Sequence, residues 1–529
     1  MTVPRRFHEA RWDEPIVMDM GSPGERGYVP PAVEPAIAEA VGDAAALIPS
    51  AMRRAIPPRL PELAQPTVLR HFLRLSQMTL GAHVTPDASL GTCTMKYSPQ
   101  LNEQLCRLPG MSELHPLQDD DTMQGLIEIV YRFSEMLCEI SGMDAFTFQP
   151  GGGAQAIFAN ACIIRAYHAD RGEADQRTEI ISTAFSHPVD CAAPAVAGFR
   201  VITLMPGPNG YVELDALKAA VSERTAGLMM TNPEDTGIFN PHVAEFTRIV
   251  HEAGGLCAYD QANANGILGI TRARENGFDL CQFNLHKTFS VPHGSTGPAC
   301  GAAGCTEELA KYLPSPMAAF DGERYFWDFD RPDSIGKVRS FLGNLQGVVR
   351  AYAWTLAHGA EGLRQVAETA VLNNNYLASQ LGQIDGVTIP YGGNGHRLQE
   401  VRYSWQQLLE ETGVGTEDVR RRVVDYGLQG YFTSHHPMLV PEPFTLEPSE
   451  SWSKADLDEY AAVFARIADE AREDPEMVRN SPHNAPIHRI DEAAIDDPER
   501  WAMTWRGYRR KHFGVGESRR REVEEATKG

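Results

Sequence analysis

Between residues 179 and 285 the apolar positions fall into short runs separated by amphipathic stretches. The runs Glu179–Ser182, Arg200–Leu204, Ala226–Thr231, Leu256–Tyr259 and Asp279–Leu285 have strand length, and helical spacing lies between most of them. This alternation predicts a mostly parallel, doubly wound α/β sheet. Upstream, Leu126, Ile129, Val130, Phe133, Met136 and Leu137 share one face of a helix predicted over Met123–Gly142. Phe246, Ile249, Val250 and Ala253 mark another, which stops at Gly254-Gly255. A long helix pattern runs from Val348 past Leu377 and bridges to a region mixing strands (Val401–Ser404, Phe444–Leu446) with helices (Thr416–Tyr426, Lys454–Arg472). Before the large domain, Ala36–Ile48 and Thr67–Met78 read as helices and Ser89–Pro99 as an ordered loop. The pattern thus predicts an N-terminal arm (1–75), a large domain (76–345), a smaller C-terminal α/β domain (346–480) and a tail (481–529).

Composition narrows the partners. The chain has 529 residues, 43% hydrophobic and 22% charged, as an ordinary globular protein has. A formal net charge of −22 argues against nucleic acid or an anionic membrane as main partner. The basic run Arg506–Lys511 and the cluster Arg519-Arg520-Arg521 read as a solvated tail. No apolar run approaches the length of a membrane span, and the first residues lack the apolar core of a signal peptide. Nine scattered cysteines without metal-type spacing fit reduced thiols in a cytoplasmic protein with no metal centre.

The candidate chemistry sits at strand ends. The run Phe278–Leu285 delivers His286-Lys287 to a Gly/Ser/Pro loop. A lysine poorly solvated there has a depressed amine pKa and forms a Schiff base with an aldehyde, although a lysine at a strand end also commonly keeps its ammonium in water. The preceding strand ends on Asp260, one crossover upstream, so both side chains can emerge at the same sheet edge, where open α/β folds bind ligands. Pyridoxal phosphate needs such a pair: a lysine for its aldehyde and a carboxylate that keeps the pyridine nitrogen protonated. An Asp in that place is also a frequent helix N-cap. Phe148-Gln149-Pro150-Gly151-Gly152-Gly153-Ala154-Gln155 leads from a strand into a helix and offers backbone N–H groups to a phosphate. It lacks the Lys-Ser/Thr ending of a nucleotide P-loop. His187, just after another strand, could stack on a planar cofactor or cap a helix. Asn232 opens a turn at the same edge.

Several further stretches, in order along the chain, carry a resemblance. They include Ser22-Pro23-Gly24-Glu25-Arg26-Gly27-Tyr28, Leu90-Gly91-Thr92-Cys93-Thr94-Met95-Lys96-Tyr97, Asn284-Leu285-His286-Lys287-Thr288-Phe289, and Glu447-Pro448-Ser449-Glu450-Ser451-Trp452. With them the chain resembles the P-protein family of the glycine cleavage system, in particular the cofactor-bearing β subunit of its two-subunit form. The resemblance implies the aspartate-aminotransferase-like fold, fold type I of pyridoxal-phosphate enzymes. It implies Lys287 as Schiff-base lysine, Asp260 as pyridine-nitrogen partner and His187 as ring-stacking residue. Gly152, Gly153, Ala154, Gln155, Asn263, His286 and Thr296 would complete the cofactor site, and Thr92, Cys93, Lys96, Asn232 and His293 the substrate side. It further implies pyridoxal 5'-phosphate as cofactor, an amino-acid substrate, and a homodimer or an αβ pair with a second P-protein-like subunit. A lipoyl-bearing H-protein would be the acceptor.

The departures from the family fall around the substrate. Gly294-Ser295-Thr296-Gly297-Pro298 stands where the family has a run of glycines. Gln155 and Ile157 stand where it has His and Glu, Gln261 replaces Gly, and Leu398-Gln399-Glu400 replaces Met-His-Glu. The main expectation is glycine decarboxylation: an amino-acid carbanion attacks the lipoyl disulfide and leaves an aminomethyl adduct. The alternative keeps the carbanion of a larger amino acid, for example S-adenosylmethionine, for β/γ-elimination or carbon–carbon bond formation. A third reading, a cofactor-free structural subunit, is disfavoured by retention of Lys287, Asp260 and His187.

Overall fold

Seven strands form the central sheet: β1 (Ala145–Thr147), β2 (Glu179–Thr183), β3 (Arg200–Leu204), β4 (Thr225–Thr231), β5 (Leu256–Gln261), β6 (Leu280–Asn284) and β7 (Gly301–Cys305). Their order across the sheet is β1-β7-β6-β5-β4-β2-β3. Strand β7 runs antiparallel to both β1 and β6, and the remaining pairs are parallel. The computed structural model describes residues 4–490 except 56–57, 59, 82–83, 87, 91–92, 293–298 and 392–394, together with Gly507; for 88–90 and 93–95 it describes the backbone alone.

Strands β2, β4, β5 and β6 match the sequence expectation within two residues at either end, because each is an apolar run buried on both faces. Strand β7 was not expected. Its sequence, Gly-Ala-Ala-Gly-Cys, has no β-branched or aromatic residue to announce it. Neighbours explain the small residues. A Cβ on Gly301 would lie 2.9 Å from the Gly152 carbonyl oxygen, and one on Gly304 would enter the Phe146 ring. The glycine loop therefore packs directly on β7.

Helix α1 (Gln124–Ser141) buries Ile127, Val130, Phe133 and Leu137 in the core beneath the sheet, sets Leu126 against Cys106 and Val349, and ends on Gly142, whose φ of 76° suits glycine. Helix α2 (Gly153–Asp170) covers the other face with Ile157, Ala161 and Ile164. Helix α3 (Leu345–Leu381) breaks once, at Gly359 with φ 63°. Its first half joins the large core through Val348, Ala351 and Trp354. Its last residues, Leu377 and Leu381, join a second core with Tyr403, Trp405, Phe444 and Phe464. That core is roofed by the antiparallel pair Val401–Ser404 and Pro443–Leu446 and by helix α4 (Lys454–Glu473). Each buried Phe or Leu there contributes about 1.5–3 kcal/mol by leaving water.

The chain separates into two units, residues 1–7 with 80–481, and 8–79 with 482–529. The predicted loop at Ser89–Pro99 contains a short hairpin, Ala88–Leu90 with Cys93–Met95. In the second unit the helix expected over Ala36–Ile48 is shorter, Pro35–Val41, followed by a 3-10 turn at Ala44–Leu47; Gly42 stops it with φ 69°. A further helix, Gln65–Gln77, buries only His71, which bonds Glu14 at 2.8 Å. Among residues 8–79 described, only Glu9 and His71 are buried, while Tyr28, Val33, Leu47, Met52 and Phe72 stand exposed. No helix among the described residues is long and apolar enough to cross a membrane. The eight described cysteines carry no disulfide.

Candidate active site

Parallel register aligns the chemistry. Thr231 on β4 pairs with Asp260 on β5, and Asp260 with Gln282 on β6. Three residues past β6, a turn presents Lys287: its N–H donates to Asn284 O at 3.0 Å, and Ser290 N–H donates to its carbonyl at 3.1 Å. Across β7 the glycine loop starts α2. These ends enclose a cavity of about 570 Å³ lined by Gly151 through Gln155, His187, Val189, Asp260, Ala262, Gln282, Asn284, His286, Lys287, Ala299 and Arg339.

Lys287 is 2% exposed, and its ammonium makes no hydrogen bond or ion pair with a described residue. Asp260, equally buried, accepts from Ala262 N–H at 2.8 Å and from the Gln282 amide, both on Oδ1. Its Oδ2 has no partner among the described residues. Burial pushes the Asp260 carboxyl up, against the pull of the Ala262 N–H, Lys287 and Gln282. His187 Nδ1 accepts from Val189 N–H at 3.1 Å. Burial, with Lys287 and His435 nearby, drives its imidazole down to about 2, so it is uncharged at any ordinary pH. At the other end, Gly151 N–H donates to Gln155 Oε1 at 2.7 Å, and Gly152 caps α2 without a side chain. A Cβ on Gly153 would meet the Asn284 amide at 2.9 Å. The first N–H groups of an 18-residue helix thus face the cavity without a side-chain cap.

Eight of the expected site residues share this cavity: Lys287, Asp260, His187, His286, Gly152, Gly153, Ala154 and Gln155. Three others have their side chains engaged outside its lining. Asn263 bonds the Glu447 carboxylate, and Asn232 accepts from Asn240 N–H at 2.8 Å. Lys96 donates to Thr288 O at 3.0 Å and pairs with Glu450 at 2.8 Å, so it straps the segment just after Lys287. Cys93 lies in the short hairpin strand Cys93–Met95, and Thr92, His293 and Thr296 fall outside the described residues.

Sequence reasoning missed Arg339, Gln282 and His435. Gln282 holds Asp260 across adjacent strands and was readable only once β5 and β6 were paired. His435 brings its ring within 4.4 Å of His187, edge to face, from the smaller core 248 positions away. Burial lowers its imidazole and the Asp235 carboxylate opposes that. Glu400, also fully buried, is pushed well above the carboxylate range by burial and by Glu447.

The comparisons with known proteins bear on this arrangement. The family model "Glycine dehydrogenase, C-terminal domain" matches residues 366–488. A probable glycine dehydrogenase (decarboxylating) subunit 2 of Thermococcus kodakarensis is 44% identical over 95% of this chain and 98% of its own. The chain belongs to the glycine dehydrogenase (decarboxylating) subunit 2 family. A subunit 2 of Pyrococcus horikoshii matches at 43% over the same shares, 95% and 98%. Among solved structures, a glycine decarboxylase (P-protein) in inhibitor-bound form superposes with a TM-score of 0.68 at 19% identity, covering 83% of this chain and 100% of that one. A sphingosine-1-phosphate lyase of Burkholderia pseudomallei does so with a TM-score of 0.58 at 14% identity, covering 82% and 97%. The fold of this subunit 2 family member is therefore fold type I of pyridoxal-phosphate enzymes, as the resemblance implied.

Proposed function

We propose that this chain is the cofactor-bearing subunit of a glycine decarboxylase that uses pyridoxal 5'-phosphate. The observation that carries the reading is the opening of Lys287 and Asp260 into one cavity whose far end is an uncapped helix start. The residues fit the cofactor: Asp260 Oδ2 is a buried carboxylate oxygen without a partner among the described residues, and the first N–H groups of α2, uncapped by any side chain, line the same cavity for a phosphate. When bound, pyridoxal phosphate supplies an electron sink for the pair released as the substrate's Cα–carboxylate bond breaks.

The chain's own residues do the rest. The amine of Lys287 would hold the cofactor through its aldehyde carbon, and the cavity it faces would admit the substrate's amine beside it. Asp260 would offer Oδ2 to a protonated pyridine nitrogen, since Ala262 N–H and Gln282 fix Oδ1 and so aim the carboxylate. His187 stays neutral and presents a ring face. The N–H groups of Gly153, Ala154 and Gln155 would receive the phosphate, and the resemblance assigns His286 and Thr296 to the same cofactor. The resemblance assigns Thr92, Cys93, Lys96, Asn232 and His293 to the substrate side, where Lys96 would act through the Thr288 carbonyl. Asn263 acts through Glu447. The large domain, 76–345, carries the cofactor, and 346–480 closes the substrate side.

The family name, subunit 2, supports pairing with a subunit 1. The exposed apolar side chains of residues 8–79 are the surface we assign to that partner, since that stretch buries almost nothing by itself. The acceptor is the lipoyl arm of an H-protein, and a cytoplasmic location fits free thiols. The relatives' names favour this reaction over elimination or carbon–carbon bond formation from a larger amino acid. The test is exchange of labelled bicarbonate into glycine by the chain with its partner subunit, cofactor and lipoyl H-protein. The reading predicts H-protein-dependent exchange. No exchange, together with turnover of another amino acid, contradicts it.

A further inference from the structure

A phosphate monoester is close to a dianion at neutral pH. A helix N-terminus offers only about half a positive charge, and backbone N–H groups none. Lys287, the one cation the cofactor reading already uses, is committed to the aldehyde. The cradle at Gly151–Gln155 therefore needs a second source of positive charge.

Among the described residues lining the cavity, Arg339 is the only other basic side chain apart from its histidines. It makes no hydrogen bond or ion pair with a described residue, although buried or half-buried arginines normally find a carboxylate. Its guanidinium rests on the α-carbon of Gly151, in the space a side chain there would fill, with Cζ 3.0 Å from that Cβ position. The segment that carries it is stapled to the same loop: Val338 N–H donates to Gln149 Oε1 at 3.0 Å, and Gly343 packs on the Phe148 carbonyl with φ 85°. One independent feature marks the cradle as built for a ligand: Asn284, whose amide packs against Gly153, lines the cavity, is 5% exposed and leaves Oδ1 without a partner among the described residues.

We propose that Arg339 supplies the positive charge of the phosphate subsite, and so selects pyridoxal 5'-phosphate over unphosphorylated pyridoxal. The inference rests on the cofactor reading above. It adds a positioning residue that lies outside the glycine loop and 52 positions beyond Lys287. Gly151 is then required because the guanidinium occupies its side-chain space.

Affinity for the apoprotein, measured by isothermal titration calorimetry, tests this without any turnover. Wild type, Arg339→Gln and Arg339→Lys are each titrated with pyridoxal 5'-phosphate, pyridoxal and inorganic phosphate, with thermal melting as a check on folding. The expected result is that Arg339→Gln binds pyridoxal 5'-phosphate and inorganic phosphate about 10- to 100-fold more weakly, as loss of a charged hydrogen-bond partner implies, and binds pyridoxal unchanged. Arg339→Lys recovers part of the loss. Equal weakening of pyridoxal and its phosphate assigns Arg339 a structural role and overturns the proposal. So does unchanged affinity for all three, including the case where glycine KM alone rises and places Arg339 at the substrate carboxylate. Failure of wild type to bind pyridoxal 5'-phosphate overturns the cofactor reading itself.

Discussion

Glu234 gives the most quantitative check on the buried electrostatics of this chain. It follows β4 and is fully buried. Burial, reinforced by the adjacent Asp235 carboxylate and opposed by the Thr183 hydroxyl, raises its carboxyl from the ordinary 4.5 to about 8. The folded protein thus keeps the proton over a pH range in which the unfolded chain has lost it. Stability contributed at low pH is lost as pH rises from the ordinary carboxylate range and levels off above the folded value. Each pH unit in that window costs about 1.4 kcal/mol. Glu234→Gln removes the titration and keeps the shape. Its stability relative to wild type should therefore grow by about 3 kcal/mol between pH 5.5 and 7.5. Urea unfolding of both proteins at several pH values measures this, and any constant effect of the amide cancels in the comparison. A difference that does not change with pH would refute the reasoning.

Two other substitutions have definite outcomes. Gly153→Ala puts a methyl 2.9 Å from the Asn284 amide and should weaken cofactor affinity at least about 10-fold; Gly152→Ala, whose nearest neighbour is 3.4 Å away, should fold normally. Spectral titration of both apoproteins separates them. Lys96→Met removes the partner of Glu450 and the bond to Thr288 O, and should cost about 3 kcal/mol of stability, as breaking a buried pair does. Adding Glu450→Gln should recover much of that in a double-mutant cycle, and full additivity would show the pair uncoupled.

The alternation of strands and helices over residues 179–285 was legible because each strand there is an apolar run and each crossover has helical spacing. Lys287, Asp260, His187 and the glycine loop were legible for a related reason: they sit at strand ends, where topology alone collects side chains at one edge. Strand β7 was not legible. Its Gly and Ala residues answer to the Gly152 carbonyl and the Phe146 ring, which are tertiary neighbours. Arg339 was hidden likewise, since its segment reaches the cradle through the Gln149–Val338 bond and carries no motif. His435 reaches His187 from the smaller core across a separation no local pattern spans. Asn232 shows the reverse limit: a turn at the right edge brought it close, but Asn240 takes its side chain.

The central claim is that one amine captures the cofactor while Asp260 faces the same ring. The most direct measurement is borohydride reduction of the protein after addition of pyridoxal 5'-phosphate, followed by proteolysis and mass spectrometry. The account predicts a pyridoxyl group on the peptide containing Lys287 and none in Lys287→Ala. A modified lysine elsewhere, or no stable modification at saturating cofactor, would contradict it.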